Sequence, residues 1–307
     1  MHTAFISHPD TLLHLMENNH PESPLRISAI RDRLIAAQVF DHLQLYDAPL
    51  ATIEQLERIH AAEYIQQLRQ ASPLAGLVHL DQDTAIGPNT LTAALRAAGS
   101  VVLATDLVMT GQAPNAFCCV RPPGHHAGRS RSGGFCLFNN VAVGVAHAMA
   151  HHNVAHVAII DFDVHHGDGS EDIFQHNPDV LLCSAFQHPF YPYQGATSGN
   201  DHIINVPLPA GTSGRDFRSA VEREFAPALE RFKPEILFIS AGFDAHRDDL
   251  LAEFNLVRDD YIWITEFIKD VARSHAQDRI VSVLEGGYDL ISLADSATAH
   301  IRTLAGL

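Results

Sequence analysis

Three carboxylates and two histidines follow one apolar run in this chain. The run at 157–160 leads into Asp161, Asp163, His165 and Asp168, with glycines close behind. An apolar run that ends in polar residues and glycine is typical of a buried strand that ends at a polar site. Because side chains alternate along an extended strand, we expect Asp161, Asp163 and His165 to share one side of the chain. One Asp and one His spaced in this way could reach a single divalent ion, and a further carboxylate could orient a neighbouring group.

Three other polar segments also follow apolar runs. They are 121–128, with adjacent His125 and His126; 240–246, with Asp244; and 284–288, with Tyr288 after two glycines. Each alone has a plain structural explanation, such as a surface loop, a helix cap or a packing aromatic ring. Together they offer an Asp/His/Asp set with an open position, which suits a catalytic Zn²⁺. Histidines for general acid–base work and a tyrosine hydroxyl for an oxyanion complete a site for metal-assisted hydrolysis of a carbonyl compound.

Strand-like and helical patterns alternate along the chain and place these segments. The predicted strands are 3–7, 116–120, 154–162, 180–185, 236–241 and 280–284, and the predicted helices are 26–40, 53–70, 89–109, 139–151, 215–232, 258–274 and 290–304. This alternation predicts an α/β fold, with a central, mainly parallel sheet and helices on both faces. Sites in such sheets form outside the carboxyl ends of the strands, where the polar segments lie. We find no internal repeat or linker, so we expect residues 1–307 to form a single domain.

Composition narrows the class of protein further. The net charge of −16 argues against a nucleic-acid-binding surface, although it would favour encounter with cations. We see no signal peptide and no unbroken apolar run of membrane-spanning length, so we expect no membrane association. The four cysteines lie in or beside apolar segments without C-x-x-C spacing, which predicts reduced thiols in a cytoplasmic protein. His151, His152 and His156 are expected to be surface residues between a helix and a strand.

The four polar segments, taken in order, resemble the motifs of the histone deacetylase family, within the wider arginase–deacetylase fold. The matching strings are RPPGHHA at 121–127, DFDVHHGDG at 161–169, GFDAH at 242–246 and EGGYD at 285–289. The string HPESPLR at 20–26 is similar to the opening segment of the family, and the resemblance extends to the C-terminus. It implies a zinc-dependent amidohydrolase that removes acetyl groups from lysine side chains.

The resemblance also implies one Zn²⁺ per chain and a role for each polar residue around it. The zinc ligands would be Asp163, His165 and Asp244; the general base would be His126, paired with Asp168; the histidine near the leaving amine would be His125, paired with Asp161; and Tyr288 would polarise the acetyl carbonyl. Relatives that carry His at the tyrosine position act poorly on acetyl-lysine, so Tyr288 favours a working deacetylase.

Substrate and structural-ion residues are implied in the same way. Gly134 and Phe135 would line one wall of an acyl-lysine tunnel, Tyr191 the opposite wall, and Gly286 and Gly287 the turn that carries the tyrosine. A structural K⁺ would bind backbone oxygens of Asp161, Asp163 and His165 and the hydroxyl of Ser184. An acidic residue at the rim, which grips the substrate backbone in relatives, would be Asp81 or Asp83.

Three functions remain open: acetyl-lysine deacetylase, acetylpolyamine amidohydrolase, and a non-catalytic metal-dependent binding module. The complete set of catalytic residue types argues against the third. Polyamine-selective relatives can place an acidic gate seven residues after the third metal ligand, which here is Leu251. An apolar gate disfavours a cationic tail, although Asp248, Asp249 and Glu253 lie close by. We therefore expect acyl-lysine as substrate, while a homo-oligomer remains open.

Overall fold

Eight parallel strands form the central sheet of the computed structural model, which describes residues 2–307. Two further short strands lie outside this sheet. In chain order the strands are β1 (Ala4–Ser7), β2 (Gln44–Asp47), β3 (Val78–His79), β4 (Ala85–Ile86), β5 (Asn115–Cys118), β6 (Val157–Asp161), β7 (Val180–Gln187), β8 (Ile203–Leu208), β9 (Ile236–Ala241) and β10 (Ile280–Leu284). The sheet has the order β2-β1-β5-β10-β9-β6-β7-β8, and every neighbouring pair is parallel. The short strands β3 and β4 pair separately as an antiparallel hairpin.

Helices cover both faces of the sheet. They are α1 (Leu25–Ala36), α2 (Ile53–Glu57), α3 (Ala62–Ala71), α4 (Thr90–Met109), α5 (Asn140–His152), α6 (Asp168–Phe174), α7 (Gly214–Phe232), α8 (Arg258–His275) and α9 (Leu290–Ala305). Alternate strand residues enter two separate cores: Ile159 packs in the core with α4 and α5, and Ile160 in the core with α1, α7, α8 and α9. Strands that are buried on both faces explain the unbroken apolar runs in the sequence. The predicted α/β architecture is confirmed.

Strand order explains why the four polar segments meet. The segments follow β5, β6, β9 and β10, which occupy neighbouring positions in the sheet as β5-β10-β9-β6. Because parallel neighbours end at the same edge, the residues that follow them converge on one cleft.

Several boundaries differ from the sequence-based prediction. Strands β2 and β8 and the β3–β4 hairpin were not predicted, because β2 is mostly exposed and β8 contains Pro207. The predicted helix 53–70 is divided into α2 and α3. At the break, Ala61 N donates to Arg129 O (2.9 Å), and the His60 ring lies between Gly128 O (2.9 Å) and Asn139 N (3.0 Å). Tertiary contacts to the 121–139 loop therefore override the local helical pattern.

One helix, α4, is long and apolar enough by composition to cross a membrane. Its most apolar 18-residue window has a mean hydropathy of 1.5, and 67% of that window is buried inside the protein. Its buried residues belong to the core shared with α5 and the sheet. The apolar character of α4 is thus accounted for by core packing.

A network of buried charged residues connects the N-terminal segment to the loops that follow β5 and β10. Glu22 is fully buried and accepts from Arg121 Nε (2.7 Å) and Nη2 (2.6 Å). Arg26 Nη1 reaches the same carboxylate at 3.3 Å, and Arg26 Nε donates to Gly287 O (2.7 Å). Burial alone would raise the pKa of Glu22, but Arg121 and His14 hold it well below its usual value, so the carboxylate stays charged.

Removing this charge should destabilise the protein strongly. Glu22→Gln would leave two buried guanidinium groups without their counter-charge, which typically costs about 3–5 kcal/mol. Urea unfolding followed by circular dichroism measures the change. Glu222→Gln, on the exposed side of α7, is the control and should lie within about 0.5 kcal/mol of wild type. Similar unfolding midpoints for the two variants would contradict the role assigned to the network.

Candidate active site

Two carboxylates and one imidazole meet where β6 and β9 end. His165 Nδ1 lies 3.0 Å from Asp163 Oδ1 and 3.2 Å from Asp244 Oδ2. Both carboxylates are at most 1% exposed. Strand β6 ends at Asp161, so the extended alternation expected from the sequence is wrong beyond that residue. A turn brings the ligand set together instead, with His165 N donating to Asp163 Oδ1 (2.9 Å).

The donor set fits a divalent cation. Asp244 Oδ2 is buried and accepts no hydrogen bond from any residue in 2–307. Burial alone would lower the pKa of His165, but Asp163 and Asp244 raise it to about 10. Burial and the charge of Asp163 raise the pKa of Asp244 to about 6. These raised pKa values mean that the pocket stabilises positive charge, and its oxygen and nitrogen donors suit Zn²⁺.

Glycines make room for these carboxylates. A Cβ atom at Gly242 would collide with Asp163 Oδ2, and one at Gly286 would collide with Asp244 Oδ2. Gly286 N also donates to Asp163 Oδ2 (2.8 Å). The EGGYD loop therefore contacts the ligand set directly, which only a residue without a side chain allows.

Two histidine–aspartate pairs lie beside the ligand set. His126 Nδ1 is 2.7 Å from Asp168 Oδ1, and His125 Nδ1 is 2.9 Å from Asp161 Oδ2. Burial and the neighbouring His125 lower the pKa of His126 to about 4, so its ring is neutral near pH 7. Burial works in the same direction on His125, but Asp161 and Asp163 outweigh it and hold the pKa of His125 well above its usual value. The two adjacent rings thus differ in charge.

Tyr288 lies in the loop that follows β10, and its side chain is half-buried. Its ring is 5.9 Å from that of Phe135, edge to face, and the Arg26 guanidinium lies 5.0 Å from its centroid. Burial raises the pKa of Tyr288 well above its usual value, despite the opposing charge of Arg26. The phenol therefore keeps its proton and can donate a hydrogen bond.

Aromatic rings form the remaining walls. Tyr191 lies 5.2 Å from the His126 ring, and Phe190 stacks on His165 at 5.4 Å. A Cβ atom at Gly134 would collide with the His126 ring, so this glycine fits closely behind the imidazole. These rings surround the ligand set with apolar surface, as in most small-molecule sites of proteins.

Comparison with known proteins agrees with this geometry. The family model described as histone deacetylase domain matches residues 20–304. A histone deacetylase-like amidohydrolase of Pseudomonas aeruginosa is 38% identical over 295 residues, covering 94% of this chain and 77% of the relative. A probable deacetylase of Archaeoglobus fulgidus is 32% identical, covering 94% of this chain and 82% of the relative. A crystal structure of the HDA15 HD domain superimposes with a TM-score of 0.94 at 35% identity, covering 99% of this chain and 88% of that one.

The chain belongs to the histone deacetylase family. Its members' names and the matched fold support a hydrolase of the deacetylase or amidohydrolase class. The resemblance read from the sequence is thereby confirmed, as is the arginase–deacetylase fold that it implied. Metal dependence follows from the family together with the ligand set described above.

Several residues that support the site were not identified from the sequence. Glu285 is buried, and its Oε2 accepts from Gly124 N (2.7 Å) and His125 N (3.1 Å), which holds the histidine loop. Arg131 Nη2 donates to Asp168 Oδ2 (2.7 Å), beside the His126 pair. Glu285 lies within a quoted motif and Arg131 follows one, but no spacing rule links either to a partner so far away in the chain.

The structure separates the two candidate rim residues. Asp83 Oδ1 accepts from Gly134 N (3.1 Å), so it holds the tunnel loop. Asp81 is exposed and binds the backbone N–H groups of Asp83 (2.9 Å) and Thr84 (2.7 Å) through one oxygen only. Of the two, Asp81 is therefore the exposed carboxylate that does not hold the loop of Gly134.

Asp249 joins the third ligand segment to the tyrosine loop. It is 4% exposed, and its Oδ2 accepts from Tyr288 N (2.6 Å) and Asp289 N (3.1 Å). Its Oδ1 accepts from Leu251 N (3.0 Å), so the same carboxylate orders the proposed gate segment. Asp249 is thus a positioning residue for both Tyr288 and Leu251.

Loss of this carboxylate should misplace the tyrosine without removing the metal. Asp249→Asn cannot accept all three N–H groups, and a small displacement of a reacting group can cost roughly 10²-fold in rate. We expect kcat on an acetylated amide to fall by that order, with KM and metal content nearly unchanged. Steady-state kinetics with elemental analysis provide the measurement.

Asp248→Asn is the matched control, because the neighbouring side chain is 61% exposed and should change kcat less than twofold. Loss of metal in Asp249→Asn, or equal effects of the two substitutions, would show that Asp249 does not act through Tyr288.

Proposed function

We propose that this protein is a zinc-dependent deacetylase that hydrolyses the side-chain amide of acetylated lysine in proteins or peptides. One observation carries the proposal: the ligand set of Asp163, His165 and Asp244 shares its cleft with two oppositely tuned histidines and a protonated tyrosine. Together these residues supply the metal ligands, the general base and the oxyanion donor that amide hydrolysis requires.

Zn²⁺, when held by these three residues, would supply Lewis acidity toward the carbonyl and make water more acidic. The neutral His126 accepts the proton of the attacking water at Nε2, because its Nδ1–H donates to the Asp168 carboxylate and thereby leaves Nε2 unprotonated. The Tyr288 hydroxyl donates to the oxygen that gains negative charge in the transition state. His126 then passes the proton from water to the leaving nitrogen as the C–N bond breaks, which releases acetate and the free amine. The charged His125 lies beside the reacting groups and stabilises negative charge there.

Acidic residues near the gate bear on the choice of substrate. Asp249 is fully used in holding backbone N–H groups, and Glu253 Oε2 accepts from Gln187 Nε2 (3.2 Å). Asp248 and Glu253 are both exposed, and Asp248 lies 3.8 and 3.6 Å from Arg247 and His246. Two exposed carboxylates therefore remain near the gate, so the preference for acyl-lysine over acetylpolyamine rests on the apolar Leu251, which cannot pair with a cationic tail.

The positions of individual residues in the fold support further proposed features. Ser184 lies opposite Asp161 in the β6–β7 register, which supports a structural K⁺ bound by Ser184 and backbone oxygens of Asp161, Asp163 and His165. Asp81 is the rim residue that we assign to the substrate backbone. All four cysteines are buried free thiols, in keeping with a reducing, cytoplasmic location and one catalytic domain over 1–307.

Two substitutions should separate metal binding from chemistry. Asp244→Ala should lose both the zinc and the activity, because it removes one of three protein ligands. Tyr288→Phe should keep the zinc and lose about 10²–10³-fold in kcat, as for loss of one oxyanion donor. Zinc per chain and turnover of an acetyl-lysine peptide are measured for both.

Tyr46→Phe removes a hydroxyl from the edge strand β2 and serves as the control, with wild-type turnover expected. Two manganese ions per chain, or a Tyr288→Phe variant within a few-fold of wild type, would refute the proposed mechanism.

Substrate choice is tested by comparing amides directly. Wild type should show a higher kcat/KM for its best acetyl-lysine peptide than for N-acetylputrescine or N-acetylspermidine. Leu251→Glu should shift this ratio toward the polyamines, because it places a carboxylate beside the tyrosine loop. Leu250→Glu, at a neighbouring residue that is 94% exposed, should leave the ratio unchanged.

A wild-type kcat/KM for either acetylpolyamine more than tenfold above that of the best peptide would overturn the choice of acyl-lysine. Equal shifts for Leu250→Glu and Leu251→Glu would show that net charge, and not the gate position, sets the preference.

A further inference from the structure

Three histidines and one aspartate form a second polar cluster where α4 and α5 end. Asp106 Oδ1 lies 2.8 Å from His147 Nε2 and 2.7 Å from His152 Nε2. The rings of His147 and His151, one helical turn apart, stack at 5.0 Å with an interplanar angle of 16°. His151 and His152 were expected only as surface residues between a helix and a strand, and their partner Asp106 lies more than forty residues earlier on another helix.

Ligand atoms of Asp106, His151 and His152 all lie within 4.8 Å of one another. Around a tetrahedral zinc with bonds of about 2.0–2.1 Å, ligand atoms lie about 3.3 Å apart, so small rotations of exposed side chains would close the set. His151 is exposed and His152 half-buried, which leaves one side of the set open to solvent. The site is therefore accessible to an ion without unfolding either helix.

A supporting shell already orients the carboxylate. Arg58 Nη1 lies 3.1 Å from His147 Nδ1, which leaves His147 Nε2 to donate its proton to Asp106. Glu54 Oε1 accepts from Arg58 Nη2 (3.1 Å) and offsets the nearby positive charge. Such hydrogen bonds to a ligating carboxylate are typical of protein metal sites. Burial alone would raise the pKa of Asp106, but His147 and His152 lower it, so the carboxylate is ionised.

We propose that Asp106, His151 and His152 form a second metal site, which binds a divalent transition-metal ion of the Zn²⁺ or Ni²⁺ type, with His147 as the positioning residue. Imidazole nitrogens and one carboxylate oxygen suit these ions and exclude Ca²⁺ and Mg²⁺, which require mainly oxygen ligands. On binding, the ion replaces the proton between His152 Nε2 and Asp106, and that proton moves to His152 Nδ1.

The second site is separate from the catalytic cleft. Helix α5 begins at Asn140, whose backbone N lies against Gly124 in the histidine loop. Twelve residues at 1.5 Å each place His152 about 18 Å farther along the helix, at the other end of the sheet. Metal bound there cannot touch the substrate, so we expect it to act on the packing of α4 against α5.

Nickel provides a test that distinguishes the two sites. Protein that holds one zinc per chain is equilibrated with NiCl₂ and desalted, and nickel and zinc are counted separately by elemental analysis. We expect one added nickel per chain with no loss of zinc. The same gain is expected in Asp244→Ala, which separates this site from the catalytic one.

Variants then assign the ligands. The double substitution His151→Ala and His152→Ala should abolish the added nickel, and His147→Ala should weaken nickel binding by roughly 10–100-fold. His176→Ala, at an exposed histidine outside the cluster, should bind nickel as wild type does. All of these variants should keep wild-type hydrolytic turnover, which verifies their folding.

Three results would overturn the proposal: no nickel gained by wild type, nickel gained only with an equal loss of zinc, or equal gain in the double variant. In each case the cluster would be a hydrogen-bonded contact between two helices and nothing more.

Discussion

Two buried carboxylates that face each other are the constraint on which this active site depends. Asp163 and Asp244 are at most 1% exposed, and like charges in such surroundings repel strongly. Backbone N–H groups offset part of the cost, since Gly286 N donates to Asp163 and Val164 N (3.1 Å) to Asp244. The remaining negative charge is what gives the site its affinity for a cation. Glycine at 242 and 286 follows from the same constraint, because any side chain there would occupy the space of a carboxylate.

Around that centre, the loops are held by charged side chains that do not belong to the ligand set. Glu22 binds Arg121 and Arg26, and Arg26 in turn holds the loop of Glu285 and Gly287 through their carbonyl oxygens. Asp249 holds the next residue of that loop from the other side. The tyrosine therefore lies on a turn that is fixed at several points, which is how a loop rich in glycine can present a hydroxyl in one position.

Histidine chemistry in this protein is decided by the neighbours of each ring. His125 and His126 are adjacent in sequence, and their ring centroids are 4.0 Å apart, yet one ring is charged and the other is neutral. Two carboxylates lie close to His125. His126 contacts one aspartate, which also binds Arg131, and the positive charge of His125 further disfavours protonation of His126. Deep in the core, burial lowers the pKa of His300 to about 3, and the neutral ring forms hydrogen bonds with the hydroxyl groups of Thr265 and Ser282. Residue type alone thus says little about protonation.

The sequence by itself determined the α/β alternation, the main buried strands and the four segments that carry the chemistry, because each of these is encoded within a few consecutive residues. It also identified Asp163, His165 and Asp244 as a group through a family resemblance. Tertiary structure alone decided that β10 and β9 lie between β5 and β6, which brings segments more than a hundred residues apart into one cleft. It alone showed that Asp249, Glu285 and Arg131 support the site, and that Asp106 meets histidines of another helix. Those partners are paired by strand order and helix packing, and neither leaves a local pattern in the chain.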